Sequence, residues 1–467
     1  MRVLLVNPNT RKYYDGYPIT LLPPLGILYI AATLEREGHH VVIVDADIDD
    51  ISTQELAEIL QRDKPSVVGI TCTTFQYPAA VETARTVKEF LPETTVVVGG
   101  AHPTALQGQT LEGCKNIDIV VRGEGETAMV ELCQALEAGT SLKAVSGTIY
   151  RNDDGSIVEN PDCARPVDPD SLPFPAHHLN RPVERYSKHY RSVLYPGASV
   201  VTSRGCPFRC IFCANSNKLV RLRSPESVVE EVETLVRQHG IAEVDFHDDT
   251  FNLKPRRTLR ICELLVERGL NRRIAWRAEC RANNGLASYE LFCAMKAAGC
   301  HLVSFGVESG SQRILDIMQK DVTLEEVQAA FGAARDAGLR TRAFFMIGNL
   351  GESKGDVLKS LEFAKRLAAD SYQFTIVTPY PGSPLYEIAR HRGWIRAGDW
   401  RTWTQWQPVM ETEHLSVEDL SYFKDLADRE FAPPRYHLRR LIDRARRAGR
   451  LAGYQIRLRR GQWHDIT

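Results

Sequence analysis

The chain has 467 residues, of which 43% are hydrophobic and 25% charged, and its formal net charge is −1. At roughly 100–200 residues per domain, this length predicts two or three domains, each with its own core. The near-average composition excludes collagen-like, mucin-like and wholly disordered chains.

Residues 1–140 alternate Val- and Ile-rich runs with helical patterns. VLLVNP (3–8), HVVIVDA (40–46), VVGITC (67–72), TVVVGG (95–100) and IDIVVRGEGE (117–126) read as strands. Helices are predicted over 23–38, from the capping box Ser52-x-x-Glu55, over 78–91 and over 126–138. Strands of this kind alternating with helices predict a doubly wound, Rossmann-like α/β domain that binds ligands at the C-terminal strand ends. A hairpin with an Asp-Gly turn and a Pro-rich connector fill 141–195.

The alternation resumes over 196–390. Strand candidates are ASVVTS (198–203), EVDFHD (243–248), RIAWRAE (273–279), HLVSFGVE (301–308), RTRAFFMIG (340–348) and SYQFTIVT (371–378). Ser224-Pro225 and Thr323-x-x-Glu326 open helices between them. Six βα units predict a partial (β/α)6, TIM-like barrel, open on one side, with its chemistry at the strands' C-terminal ends. Residues 391–467 read as a helical C-terminal segment containing Trp400, Trp403 and Trp406, whose better reading is as anchors.

The strongest signal is Ser203-Arg204-Gly205-Cys206-Pro207-Phe208-Arg209-Cys210-Ile211-Phe212-Cys213, directly after the first barrel strand. A structural zinc site takes four protein ligands, usually as paired C-x₂-C units, and no second pair lies nearby. Cys206, Cys210 and Cys213 suit three irons of a [4Fe–4S] cluster, which leaves the fourth iron open to a chelating ligand.

With Phe212 before its third Cys, this triplet resembles the radical S-adenosylmethionine (SAM) superfamily. The resemblance implies that SAM binds the open iron through its methionine end and yields a 5′-deoxyadenosyl radical. It extends to the barrel strand ends. Asp248-Asp249-Thr250-Phe251 is similar to an acidic segment near the cluster, which makes Asp249 a candidate contact. Glu279 and Arg281 would meet the methionine carboxylate or the ribose, and Glu308, followed by Ser309, the ribose hydroxyls. Ile347 and Gly348 lie in a segment similar to the adenine-contacting G-x-I-x-G-x-x-E, although its leading Gly is Phe345 or Met346 here.

The first domain lacks G-x-G-x-x-G after its first strand, which argues against a dinucleotide. Thr71, then Gly99 and Gly100 in GGAHPT, then Gly123, Glu124 and Gly125 in RGEGE stand at strand ends where small residues admit a bulky ligand. With the Asn-Pro opening and the PPLG-x₄-A helix, these loops resemble the cobalamin-binding domain of B12-dependent radical SAM enzymes. The cobalt-ligating D-x-H-x-x-G motif is absent, and the nearest look-alike, Asp245-Phe246-His247, belongs to the barrel. His102 reads as a polar contact or as an ordinary loop histidine. A competing family, the methylthio-group transferases, would place a second cluster on Cys72, Cys114 and Cys133, but Cys133 sits mid-helix in a packing position.

The resemblance as a whole implies a methyltransferase acting on an unactivated carbon or phosphorus centre. A radical cyclase or rearrangement enzyme is the runner-up, and a non-catalytic cobalamin or cluster sensor is a third reading. A small molecule, lipid or pigment is expected as substrate, and a flavodoxin- or ferredoxin-type protein as electron donor. No run approaches the ~20 apolar residues of a membrane span. MRVLLVNPNT lacks the apolar length and cleavage site of a signal peptide, so a cytoplasmic protein with reduced cysteines is expected. From Phe431 to Thr467 stand ten Arg, no Lys and two Asp, a net +8, which leaves −9 for the first 430 residues because the total is −1. Arg435 to Arg450 has the spacing of an amphipathic helix, suited to docking on the barrel or to peripheral membrane contact. Without interleaved aromatics, no nucleic-acid partner is expected.

Overall fold

The computed structural model describes residues 1–13, 22–152, 154–162, 166–186, 192–215 and 217–431. The basic segment from Arg435 to Arg450, with the membrane contact expected of it, lies outside the described residues.

Two sheets organise the chain. The first contains β1 (Arg2–Asn7), β2 (His40–Asp45), β3 (Val67–Thr71), β4 (Thr95–Gly99), β5 (Ile119–Val121), β6 (Thr148–Arg151) and β7 (Ile157–Glu159), in the order β2-β1-β3-β4-β5-β6-β7. β1 to β5 are parallel, as their sequence predicts. Alternate residues of one strand enter opposite cores. Leu4 and Val6 pack with Val68 and Val96 on one side, while Val3 and Leu5 pack with Val67 and Val97 on the other. Burial on both faces is why these strands read as continuous apolar runs.

The hairpin β6–β7 departs from the expected division, since it continues the first sheet antiparallel to β5 rather than belonging to the connector. An unpaired β5 would leave a row of backbone donors and acceptors, and the hairpin satisfies them. The order reverses at β1, which places the switch-point crevice between β1 and β3.

The second sheet contains β8 (Gly197–Val200), β11 (Glu243–Phe246), β12 (Ala275–Cys280), β13 (Cys300–Glu308), β14 (Arg340–Ile347) and β15 (Ser371–Ile376) in chain order and all parallel. Between the first two lies a short antiparallel ribbon, β9 (Ser203–Arg204) with β10 (Arg221–Leu222). Among the described residues the sheet does not close, and β8 and β15 are its edges. The helix Val417–Phe431 covers the β15 side, where Leu420, Phe423 and Ala427 join the barrel core and Phe431 packs on Tyr372 and Phe374 at 4.8 and 5.1 Å. Helix punctuation follows the sequence. Ser52 and Glu55 form a reciprocal capping box, as do Thr323 and Glu326. Ser224 caps Pro225–His239, and Gly240, at φ +62°, ends it. Among the described residues no helix is long and apolar enough to cross a membrane.

Candidate active site

The ribbon β9–β10 is the stem of the cysteine loop. Gly205 follows it at φ +84°, where a Cβ would collide with the Leu219 carbonyl, so the turn into the loop requires glycine. Three backbone bonds fix the loop: Cys206 N–H to Asn217 O at 3.1 Å, Ile211 N–H to Met318 O at 3.0 Å, and Leu385 N–H to Ile211 O at 2.9 Å. Cys206, Cys210 and Cys213 are free thiols on this one loop, and burial pushes the Cys213 thiol up. Among the described residues, no three His, Cys, Asp or Glu side chains converge on a single metal ion. The donor set still fits a cluster, because thiolates on three irons of a cube occupy separate corners instead of surrounding one ion.

The sequence-predicted residues gather unevenly around this loop. Asp249 is exposed and accepts from Asn215 Nδ2 at 2.6 Å, while the Asn215 amide donates to Cys213 Sγ at 3.4 Å. Its neighbour Asp248 is buried, accepting from the Thr202 and Ser203 backbone at 2.6 and 3.2 Å, and so braces the approach to the loop. Glu279 is exposed at the end of β12. Glu308 sits at a bulge with φ +67°, where Lys320 Nζ holds its Oε1 at 2.7 Å. The same ammonium lies 5.7 Å from the Phe212 ring centre, which ties the loop's aromatic to the carboxylate.

Two of the expected residues turn their side chains inward. Ser309 does not present a free hydroxyl: it is fully buried, with Oγ 3.2 Å from Ser360 Oγ and accepting from the Ser311 amide. A turn packed against the helix Lys354–Leu367 consumes it. Ile347 also points away, into the core between sheet and helices, because the period-2 alternation of β14 buries it with Ala343 and Phe345. Gly348 turns the chain at φ +97°, where a Cβ would stand 2.7 Å from Leu420 Cδ2.

That turn depends on Glu352, whose Oε2 accepts from the amides of Gly348 and Asn349 at 2.6 and 3.0 Å. Oε1 is buried without a partner, and burial pushes the carboxyl up to about 7. The folded state therefore holds this proton where the unfolded chain releases it, and stability falls as pH rises from about 4.5 through 7. Urea denaturation should show a loss on the order of 3 kcal/mol between pH 5 and 8 that Glu352→Gln flattens. An unchanged profile in the variant would assign the pH dependence elsewhere.

The first domain holds a cavity of about 310 Å³ between its sheet and the helices Leu25–Arg36 and Gly125–Ala138. All six residues expected near cobalamin line it: Thr71, Gly99, Gly100, Gly123, Glu124 and Gly125. A Cβ on Gly100 would lie 2.6 Å from the Cys72 carbonyl, so that approach requires glycine, while one on Gly125 would displace the tip of the Ile30 side chain, 2.8 Å away. The volume admits part of a corrinoid, and the predominantly apolar walls fit it. His102 is outside the cavity. It is buried against Tyr77 at 4.4 Å and Trp400 at 5.1 Å, and burial lowers it to about 4. Trp403 is buried beside Trp400, with ring centres 4.6 Å apart, so this pair anchors the C-terminal segment. Cys133 lies on the opposite side of the sheet from Cys72 and Cys114, so the three do not form a second cluster site.

Sequence reasoning missed the connection between the two sites. Arg204 lines the cavity from the barrel side and pairs with Glu126 at 2.6 Å and Glu124 at 3.3 Å. Arg221, its register partner across the ribbon, also binds Glu124, with Nη1 to Oε2 at 2.8 Å. Like charges directly opposite on a ribbon destabilise it unless neutralised, and the carboxylates come from the other domain. Burial alone would raise Glu124, but the two guanidiniums override it and hold the carboxyl below its usual range. The signal was present in the doubled Glu of GEGE and the Arg on each side of the loop, but their separation of 97 residues hides the pairing.

Comparison with known proteins agrees with this geometry. Residues 20–133 match the B12 binding domain and residues 200–364 the Radical SAM superfamily. A Pyrococcus horikoshii protein described as an uncharacterized methyltransferase is 37% identical over 90% of each chain. The anaerobic magnesium-protoporphyrin IX monomethyl ester cyclase of Rubrivivax gelatinosus is 29% identical over 90% of this chain and 75% of its own. In fold, the chain is similar to the radical SAM methyltransferase TsrM of Kitasatospora setae, solved with cobalamin and a [4Fe–4S] cluster, with a TM-score of 0.68 and 23% identity over 85% of this chain and 76% of that one. The chain belongs to the radical SAM enzymes that carry a B12-binding domain.

Proposed function

We propose that this enzyme methylates an unactivated carbon or phosphorus centre of a small molecule, with a [4Fe–4S] cluster, SAM and cobalamin as its cofactors. The carrying observation is that Arg204 belongs both to the wall of the glycine-lined cavity and to the stem of the cysteine loop, which makes the two cofactor sites neighbours. When bound, these groups supply hydrogen-atom abstraction by a 5′-deoxyadenosyl radical and a methyl group delivered from the corrinoid. An unactivated C–H bond has no useful acidity, so side-chain base catalysis does not open it and the hard step passes to cofactors.

The chain's own work is placement. Cys206, Cys210 and Cys213 hold the cluster. Glu308, with one oxygen fixed by Lys320, keeps Oε2 for the ribose, and Asp249 and Glu279 offer exposed carboxylates at the same strand ends. The backbone of the turn at Gly348, rather than the Ile347 side chain, meets the adenine. Thr71 and the glycines at 99, 100, 123 and 125 admit the corrinoid. We place the enzyme in the cytoplasm, reduced by a flavodoxin- or ferredoxin-type donor.

Methylation is favoured over oxidative cyclisation by the higher identity of the methyltransferase-named relative, 37% against 29% for the cyclase. Methyl-labelled SAM tests the choice on substrate candidates under anaerobic reduction. Label is expected in the product, with 5′-deoxyadenosine released. Turnover that leaves all label in SAM or the corrinoid points to cyclisation, and binding without any 5′-deoxyadenosine points to a sensor.

A further inference from the structure

Arg281, at the end of β12, carries a buried charge without a carboxylate. The residue is 8% exposed, and each of its three guanidinium nitrogens has a neutral group or a sulfur as partner. Nε donates to Asn283 Oδ1 at 2.7 Å, Nη2 to the Lys320 carbonyl, and Nη1 points at Cys210 Sγ from 3.8 Å. The guanidinium carbon stands 3.5 Å from the centre of the Phe208 ring, which comes from the cysteine loop itself. Among the described residues no acidic side chain forms an ion pair with it. The nearby ammonium of Lys320 is spent on Glu308.

A buried cation is costly unless an anion compensates it. The cysteine loop supplies that anion only when loaded: a dicationic cube held by three thiolates is a net monoanion, and one added electron makes it a dianion. Arg281 thus stands against the loop that becomes anionic on loading, through Cys210 and Phe208. The sequence reading places it toward the methionine carboxylate or the ribose.

We infer that Arg281 is a positioning residue for the cluster: it fixes the Cys210 side of the loop and raises the cluster's reduction potential by favouring the more negative, reduced state. The inference rests on the cluster assignment of the proposed function. Iron and sulfide analysis of the reconstituted wild-type enzyme tests that assignment separately.

The experiment is an EPR-monitored potentiometric titration of reconstituted wild type, Arg281→Gln and Arg281→Lys, alongside equilibrium binding of SAM. The reduction equilibrium of Arg281→Gln should shift about tenfold toward the oxidised cluster, about 59 mV for a one-electron couple. Arg281→Lys, which keeps the charge, should shift less, and SAM affinity should stay within about threefold in both, a change well below the tenfold that about 1.4 kcal/mol represents. A midpoint that does not move in a fully loaded Arg281→Gln overturns the inference, as does weakened SAM binding at an unchanged midpoint. If Arg281→Gln fails to retain a cluster, Arg281→Lys decides: a midpoint near wild type supports the inference, and one as low as a neutral residue would give overturns it.

Discussion

Alanine at Cys210 is expected to abolish 5′-deoxyadenosine release while leaving the protein folded. The thiol is buried, but it sits on a loop whose path is set by backbone bonds from Cys206, Ile211 and Leu385, none of which uses the Cys210 side chain. Truncation removes one sulfur from a loop instead of opening a cavity in the main core, at a cost of about 1 kcal/mol. The activity cost is far larger, because a cube held at two corners is not retained. Iron content should fall below one cube per chain, and the deoxyadenosine yield by at least about a thousandfold, a difference of roughly 4 kcal/mol in barrier. A folded Cys210→Ala protein with a full cube and undiminished yield would remove the foundation of the proposed function.

The second large effect concerns Glu124 and Glu126. Replacing both by alanine leaves Arg204 and Arg221 facing one another across the ribbon without a counter-charge. Removing one side of a buried ion pair costs about 3–5 kcal/mol, most of it the penalty for the charge left behind. The urea midpoint should fall, and cobalamin should be retained more weakly. Removing the arginines as well, with Arg204→Leu and Arg221→Leu, should recover most of the stability because no charge remains stranded. If the double acidic variant unfolds at the wild-type midpoint, the ion pairs contribute nothing to joining the domains.

Much of the architecture was legible because both domains repeat one short-range pattern. Strands apolar on both faces, capping residues and terminal glycines are local signals, and Ser52, Thr323 and Gly240 act as their neighbours imply. The six cavity residues were legible for a related reason: in a doubly wound sheet, strand ends form one rim. Side-chain direction was less accessible. Ser309 and Arg281 follow strand ends as plausible contacts do, yet a bulge and a turn packed against another helix send one into the core and the other to the cysteine loop. Lys320 carried no signal at all. It matters because two left-handed residues, Gln319 and Asp321, bracket it and bring it to Glu308 and Phe212. The hairpin after β5 was misplaced because its pairing satisfies a sheet edge that sequence does not display.

The ionic clasp also constrains heredity. A fusion whose replacement half lacked its share of this pattern would bring guanidiniums without their acids, or acids without their guanidiniums. The two halves are therefore not freely interchangeable modules. A hybrid keeps this join only when both sides of the charge pattern travel together.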